Sequence, residues 1–233
     1  MSNSVTHNIA KVHARINAAE KLAGRTRGIV QLIAVSKTRS ANEIREAVAA
    51  GSNHFGENYL QEALDKQRDL TDLPIIWHFI GPIQSNKTAS IAQHFDWVHS
   101  VDRLKIARRL SEQRSRAALL NVCIQVNISA EDSKSGVTLD QVAPLAESIS
   151  NLPNLKLRGF MAIPSPQLSD EQLYQQFSSL EKLRHTLNQQ GFALDTLSIG
   201  MSNDLECAIR AGATMVRIGT AIFGPRTTNK QQV

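Results

Sequence analysis

A lysine closes an apolar run near the start of the chain. The run 32–36, LIAVS, ends on Lys37 and is followed by polar residues. If the run is a strand, its period of two places Ile33, Val35 and Lys37 on one face. Partial burial on an apolar face lowers the pKa of an amine, and the neutral amine attacks carbonyl groups to form a Schiff base. A lysine that reaches from a strand end into water is the alternative interpretation.

Two segments near the C-terminus combine glycine with hydroxyl side chains, as phosphate-binding loops do. The first, LSIGMSND, contains Ser198, Gly200 and Ser202. It leads into a helix predicted to begin near Asn203, whose free N–H groups and positive dipole end suit an anion. The second, VRIGT, contains Gly219, which permits close backbone approach, and Thr220, which offers a hydroxyl and an N–H group.

A reactive lysine combined with a phosphate-binding loop predicts a phosphorylated aldehyde or ketone as the ligand. Pyridoxal 5′-phosphate and an aldolase substrate both fit this description. Arg217 lies two residues before Gly219, so both face the same side of a strand. Its guanidinium could donate to a pyridine nitrogen, and its permanent charge would keep that nitrogen unprotonated and weaken the ring as an electron sink. A salt bridge inside the fold, with Glu57 or Glu206, is the structural alternative.

The elements that must position these residues are short apolar runs alternating with helical patterns. The predicted strands are Leu32–Lys37, His54–Asn58, Trp77–Gly81, Trp97–Val101, Val122–Ser129, Leu155–Ile163, Thr196–Ser202 and Met215–Phe223. Each except the last is followed by a predicted helix, and residues 1–25 form an additional N-terminal helix. Capping boxes at 40–43 and 138–141 mark helix starts, and glycines at 51, 191 and 212 mark helix ends.

Eight such units in 233 residues predict an α/β fold, a (β/α)8 TIM barrel forming a single domain. An open doubly wound sheet is the alternative, but no GxGxxG motif follows the first strand. In a barrel, active groups lie at the carboxyl ends of the strands, where Lys37 and Asn58 are predicted.

Alternation within the strands predicts which side chains face the barrel interior. In the fifth strand the apolar residues of NVCIQVNIS face the helices, and the inward set is Cys123, Gln125, Asn127 and Ser129. Asn127 is either part of a ligand-lined cavity or a hydrogen-bonded core amide. His54 and His78 lie early in their strands and are predicted to be packed or hydrogen-bonded rather than catalytic. Met161 faces inward as part of a cavity wall.

Composition narrows the class of protein. The chain is 42% hydrophobic with a net charge of +5, has no apolar run near the length of a membrane span, and lacks a secretory signal. Cys123 and Cys207 belong to no disulfide or metal-ligand pattern, so a reducing cytoplasm and no metal are expected. The basic stretch Arg103–Arg116 contains six cations and one acid, but no aromatic residue and no nucleic-acid motif. A solvated helix face is favoured over a nucleic-acid site.

Seven segments in consistent order carry a family resemblance: AVSKT, HFGENY, WHFIGPIQSNK, NISAEDSKSG, GFMAIPS, SIGMSND and VRIGTAIFG. Between about Leu32 and Pro225 the chain resembles the pyridoxal phosphate homeostasis proteins, single-domain relatives of the alanine racemase N-terminal barrel. The resemblance implies one such barrel over residues 1–233, with pyridoxal 5′-phosphate held as a Schiff base on Lys37. It also implies phosphate contacts from Ser202, Gly219 and Thr220, a ring-nitrogen partner in Arg217, and pocket lining by Asn58 and Met161.

The sequence departs from alanine racemases where catalysis is concerned. Those enzymes use a tyrosine of a C-terminal β-domain as a second base, and neither Tyr59 nor Tyr174 has an evident claim to that role. The segment KTRSA after the lysine also differs from the racemase motif. We therefore expect a non-catalytic protein of intracellular pyridoxal phosphate homeostasis, which buffers the cofactor or delivers it to apo-enzymes and affects amino-acid and keto-acid metabolism indirectly. A weak racemase or Schiff-base lyase is the alternative, and a monomer is expected.

Overall fold

The computed structural model describes residues 4–131 and 134–225, and eight parallel strands close there into a barrel. The strands are β1 (Gln31–Val35), β2 (His54–Glu57), β3 (Ile76–Phe79), β4 (Trp97–Val101), β5 (Leu120–Val126), β6 (Leu155–Ala162), β7 (Thr196–Ser198) and β8 (Met215–Ile218). They pair in sequence order, and β1 closes the barrel by pairing with β8, with Ile33 opposite Arg217. The predicted (β/α)8 barrel is confirmed, and the open doubly wound sheet is excluded.

The helices surround this barrel. They are α1 (Val5–Leu22), α2 (Ala41–Ala49), α3 (Leu60–Asp69), α4 (Thr88–His94), α5 (Leu104–Gln113), α6 (Leu139–Ser150), α7 (Asp170–Gln189), α8 (Leu205–Arg210) and α9 (Thr220–Phe223). Both predicted capping boxes form, at Ser40 and Thr138, and a third at Ser169 was not predicted. In each box the N-cap hydroxyl and the N3 side chain satisfy backbone N–H groups that the helix leaves unpaired.

The additional helix α1 is confirmed and packs against α2, α8 and α9. Asn8 donates to the carbonyl of Ile222 at 2.8 Å, and Arg15 forms a bidentate ion pair with Glu206 at 2.8 and 2.9 Å. Because α9 is a single turn, α1 covers the part of the outer layer next to it. Within the described part of the chain, no helix combines the length and apolar character that a membrane span requires.

Several strands end earlier than predicted, most clearly the last one. Strand β1 ends at Val35, β7 at Ser198 and β8 at Ile218, so the chemically important residues that follow lie on loops or helix starts. The predicted strand Met215–Phe223 was wrong beyond Ile218, since residues 220–223 form α9. Apolar residues after a strand end continue into the helix layer, and the sequence pattern does not distinguish the two environments.

The alternation predicted for β5 is confirmed in part, because the strand ends at Val126 and the predicted inward residues Asn127 and Ser129 lie beyond it. Val122, Ile124 and Val126 belong to the apolar layer between strands and helices, whereas Cys123 packs inside the barrel. The interior apolar cluster consists of Ile33, Trp97, Cys123, Met161 and Met215. Asn127 is a hydrogen-bonded amide, because its Nδ2 donates to the carbonyl of Glu131 at 2.8 Å.

The basic stretch is not simply a solvated helix face. Arg114 is only 5% exposed, and its guanidinium donates to backbone carbonyls where α4 ends, including that of Phe95 at 2.8 Å. Arg109 donates to a carbonyl of the turn 85–87, and Arg116 pairs with Asp96 at 3.0 Å. Arg103 also donates to the carbonyl of Ile83 at 3.2 Å. Four of the six cations therefore hold neighbouring elements together, and the solvated-face prediction was wrong for Arg114.

Candidate functional site

A cavity of about 460 Å³ opens at the carboxyl end of the barrel, a volume in the range of small-molecule sites. The predicted site residues on its wall are Lys37, Asn58, Ser202, Arg217, Gly219 and Thr220. These residues come from the first two and last two strand ends, which the barrel closure brings together. Met161 differs: it is fully buried in the interior cluster and is not among the described residues that line the cavity.

Lys37 lies in a tight turn just beyond β1, partly buried on the cavity wall. The N–H of Arg39 donates to the carbonyl of Ser36 at 3.0 Å, which closes the turn around Lys37. Thr38 has φ of 64°, a left-handed conformation that β-branched residues rarely adopt. Its N–H donates to the carboxylate of Glu62 at 2.5 Å, which compensates for part of the strain.

A buried ionic network lies behind this turn. The ammonium of Lys66, a residue only 6% exposed, donates to Glu57 at 2.7 Å, to Glu62 at 2.5 Å and to the carbonyl of Ser36 at 2.6 Å. The hydroxyl of Ser36 donates to the same oxygen of Glu57 at 2.6 Å. Burial raises the pKa of Glu57, and the charge of Lys66 opposes that increase. The network therefore holds Ser36 and Thr38, the two neighbours of Lys37.

Asn58 follows β2, and its backbone is packed closely against Gly81. A Cβ on Gly81 would lie 2.2 Å from the carbonyl oxygen of Asn58, so only glycine allows the two segments this approach. The side-chain Oδ1 of Asn58 is buried and accepts no hydrogen bond from the described residues. An unpaired buried acceptor on a cavity wall is a favourable position for a hydrogen-bond donor from a ligand.

Arg217 projects from β8 and is 5% exposed. Its guanidinium donates to the carbonyl and hydroxyl of Ser198, the latter at 2.8 Å, and to the carbonyl of Ala162 at 3.0 Å. Burial lowers the pKa of Arg217 to about 10, so it stays charged at neutral pH. The alternative of an internal salt bridge was wrong, because Glu57 pairs with Lys66 and Glu206 with Arg15.

The loop after β7 forms another part of the wall. The backbone N–H groups of Ser202 and Asn203 donate to no acceptor within the described residues. Gly200 has φ of 96°, and a Cβ there would lie 2.7 Å from the Cβ of Ala208. The helix predicted near Asn203 begins at Leu205 and has Asp204 as its N-cap residue. The side chain of Asp204 accepts from the N–H of Met201, which leaves the Ser202 and Asn203 donors for a ligand.

Three histidines connect the other end of the barrel to Arg217. Nδ1 of His54 lies 2.8 Å from Nε2 of His78, and Nδ1 of His78 lies 2.9 Å from Nε2 of His99. Nδ1 of His99 lies 2.8 Å from the hydroxyl of Ser198, which accepts from Arg217. The prediction that His54 and His78 are hydrogen-bonded is confirmed, whereas His99 was not singled out.

Burial makes these histidines weak bases. It lowers the pKa of His99 to about 3, with a smaller effect of the same sign from Arg217, and lowers the pKa of His78 well below its usual value. The pKa of His54 is also lowered by burial, although Asp96 acts in the opposite direction. At neutral pH all three rings are therefore uncharged.

These pKa values predict a loss of stability in acid. Below about pH 6.5 the unfolded chain takes up protons at His78 and His99 that the folded protein does not bind, so acid favours unfolding. For each of these histidines the free energy of unfolding should fall by up to about 1.4 kcal/mol per pH unit, the limit reached once the unfolded chain is fully protonated there. Urea unfolding at about pH 7 and about pH 5.5 measures the slope. His99→Gln should reduce it, whereas Ser100→Ala, a change at the buried neighbouring residue that removes no titratable group, should not; equal slopes in all three proteins would contradict the assignment.

Some residues of the site were not found from the sequence. Arg39 lines the cavity and donates to the carbonyls of Gly224 and Pro225, which ties the turn after β1 to the end of α9. Asp204 also lines the cavity, and its position directly before the helical segment LECAIR, residues 205–210, was a recognisable N-cap signal. Tyr59 is exposed just after β2, and Tyr174 stacks on Arg210 away from the cavity.

The sequence and the structure are similar to those of known proteins. The family model described as "Alanine racemase, N-terminal domain" matches residues 4–227. The pyridoxal phosphate homeostasis protein of Pseudomonas aeruginosa is 59% identical over 225 residues, 96% of this chain and 96% of that protein. Its counterpart in Escherichia coli K12 is 48% identical over 98% of this chain and 100% of its own length. The solved structure of PipY from Synechococcus elongatus with PLP bound has 38% identity and a TM-score of 0.79, covering 90% of this chain and 100% of that one.

Proposed function

This chain belongs to the pyridoxal phosphate homeostasis protein family, and on that premise we propose that it binds pyridoxal 5′-phosphate through a Schiff base on Lys37. The observation that carries the proposal is the convergence of Lys37, Arg217 and the loop around Ser202 on one cavity. PipY, whose structure contains PLP, supports the choice of ligand. An aldolase substrate, which the residues alone allowed, has no comparable support.

The residues present fit the cofactor. The free N–H groups of Ser202 and Asn203, with Thr220 at the start of α9, offer donors to a phosphate. Arg217 presents a charged donor to a ring nitrogen, and the unpaired Oδ1 of Asn58 offers an acceptor. When bound, the cofactor supplies an aldehyde and an electron-withdrawing ring. The chain's own residues then anchor the phosphate, hold the amine of Lys37 in its strained turn and keep a positive charge at Arg217.

The phosphate assignment predicts a difference between the cofactor and its dephosphorylated form. Ser202→Ala removes one hydroxyl but keeps the backbone carbonyl that accepts from Arg15. Because a hydrogen bond to a charged group contributes about 1.5–3 kcal/mol, affinity for pyridoxal 5′-phosphate should fall about 10- to 100-fold. Affinity for pyridoxal should change little. Titrations followed by visible absorption measure both, with Ser165→Ala, also on the cavity wall, as control. Equal losses for the two ligands would contradict a phosphate contact.

We further propose that the protein buffers the cofactor or delivers it to apo-enzymes that require it. Arg217 supports a carrier over a catalyst, because a permanent cation keeps the ring nitrogen unprotonated and limits carbanion stabilisation. The test mixes loaded protein with an apo-enzyme in the presence of a scavenger for free cofactor. Recovery of enzyme activity faster than release to the scavenger would demonstrate delivery. Recovery no faster than release would support buffering without delivery. No recovery together with no release would contradict both buffering and delivery.

A weak amino-acid racemase or Schiff-base lyase is the alternative function. The feature in its favour is the same lysine, which would serve as a base beside the cofactor. Loss of optical activity from a chiral amino acid, abolished in Lys37→Ala, would establish it. We expect no such turnover above the rate of free cofactor, because neither Tyr59 nor Tyr174 lines the cavity as a second base.

A further inference from the structure

The hydrogen bonds of Ser198 give the histidine chain a direction. Ser198 is fully buried, and its hydroxyl oxygen has two neighbours within hydrogen-bond distance among the described residues, Arg217 and His99. Arg217 can only donate. The single hydroxyl hydrogen of Ser198 therefore has one acceptor, Nδ1 of His99. If His99 donated instead, the buried hydroxyl hydrogen would be left without an acceptor, which is costly.

The direction of this hydrogen bond fixes the direction of the next two, because a neutral imidazole carries one hydrogen, which lies on the nitrogen that does not accept. Because Nδ1 of His99 accepts, its hydrogen lies on Nε2 and is donated to Nδ1 of His78. The hydrogen of His78 then lies on Nε2 and is donated to Nδ1 of His54. His54, the first residue of β2, keeps its own hydrogen on Nε2 and is only partly buried, at the amino end of the barrel. All three histidines are thus the Nε2–H tautomer.

We propose that His54, His78 and His99 form a one-way hydrogen-bond relay in which His99 positions Arg217 through Ser198, and through which proton uptake at His54 reaches that contact. The inference rests on the proposed function only for its consequence at the cofactor site. The relay spans four strands, β2, β3, β4 and β7, and ends on the guanidinium that lines the cavity.

Proton uptake at His54 must reverse the relay. In the neutral state the four groups carry four mobile hydrogens, one on each ring and one on Ser198. A fifth hydrogen gives His54 an N–H on both nitrogens, and its Nδ1–H then opposes the Nε2–H of His78. The conflict is removed when the hydrogens of His78 and His99 move to Nδ1. Ser198 then accepts from both His99 and Arg217, and its own hydrogen loses its acceptor.

Among the described residues, one carboxylate and one neighbouring ring act on His54. His78 faces it from β3, and Asp96 approaches from the segment before β4, where it is paired with Arg116. Strand β1, on the other side of β2, contains no titratable side chain. Asp96 favours protonation of His54, whereas burial opposes it. The relay also opposes protonation of His54, because its reversal leaves the hydroxyl hydrogen of Ser198 without an acceptor.

The test is nitrogen NMR of the cofactor-free protein labelled with ¹⁵N-histidine. At neutral pH the three relay histidines should all give the Nε2–H pattern. On acidification, His78 and His99 should change to Nδ1–H with the same midpoint as protonation of His54. An Nδ1–H or doubly protonated His78 or His99 at neutral pH would overturn the relay. Protonation of His54 without any change at His99 would overturn the coupling.

Two serine variants distinguish an effect on the direction of the hydrogen bonds from an effect of lost packing. Ser198→Ala removes the hydroxyl that sets the polarity, so His78 and His99 should show averaged nitrogen shifts from two tautomers. Ser100→Ala is the matched control, since Ser100 is buried on β4 but donates to the carbonyl of Gly81 outside the relay. Pure Nε2–H signals in Ser198→Ala would contradict the role of Ser198. None of these signals requires cofactor, so a failure of cofactor binding would overturn the proposed function and leave the relay to be judged separately.

Discussion

Replacing Lys66 by methionine should lower the free energy of unfolding by about 3–5 kcal/mol, because it leaves the carboxylate of Glu57 buried without its charge partner. Glu57 is fully buried, and its second oxygen already has no hydrogen-bond partner among the described residues. The melting temperature should fall by roughly 6–20 °C. The same change removes the donor that holds Ser36 and Glu62, so the turn around Lys37 should loosen.

The double variant Lys66→Met/Glu57→Gln separates loss of the charge partner from loss of packing. Neutralising both members of a buried ion pair costs much less than breaking it, so most of the lost stability should return. Lys105→Met, at an exposed position on α5, should change the free energy of unfolding by less than about 0.5 kcal/mol. A Lys66→Met protein as stable as the Lys105→Met protein would show that the buried network does not stabilise the fold.

Replacing Lys37 by alanine should lower affinity for pyridoxal 5′-phosphate by at least about 100-fold, because the covalent linkage is lost and only the phosphate and ring contacts remain. Stability should change little, since Lys37 is partly exposed on a turn whose backbone is held by Ser36 and Thr38. Equilibrium dialysis measures the affinity, and circular dichroism checks the fold.

Lys87→Ala is the matched control for this change. Lys87 is an exposed lysine in the turn after β3, at the same end of the barrel. It should bind the cofactor as the unaltered protein does. Undiminished affinity in Lys37→Ala, or an equal loss in both variants, would contradict a specific linkage at Lys37.

The sequence was sufficient for the barrel and for six residues of the cavity wall. Strands of a βα barrel are buried on both faces and flanked by helix caps, and both signals are local in sequence. The lysine after β1, the glycine and hydroxyl residues after β7 and β8, and Arg217 could be found because their types are unusual at strand ends. Closure of the barrel then brings them together without further information.

The networks behind the site could not be predicted, because they depend on contacts between distant elements. Lys66 appears from its sequence to be one more cation on the amphipathic helix α3, and its burial follows only from the packing of that helix over Glu57. His99 and His78 align only when neighbouring strands are placed in register. Met161 was expected on the cavity wall, but a side chain's depth in the barrel depends on strand tilt, which alternation does not reveal.

Borohydride reduction followed by peptide mass mapping tests whether the cofactor is covalently bound at Lys37. The purified protein is saturated with pyridoxal 5′-phosphate, its visible spectrum is recorded, and the reduced protein is digested. We expect a yellow protein that bleaches on reduction and carries a phosphopyridoxyl group on the peptide containing Lys37. A protein that stays colourless, or an adduct on a peptide from another part of the chain, would contradict it.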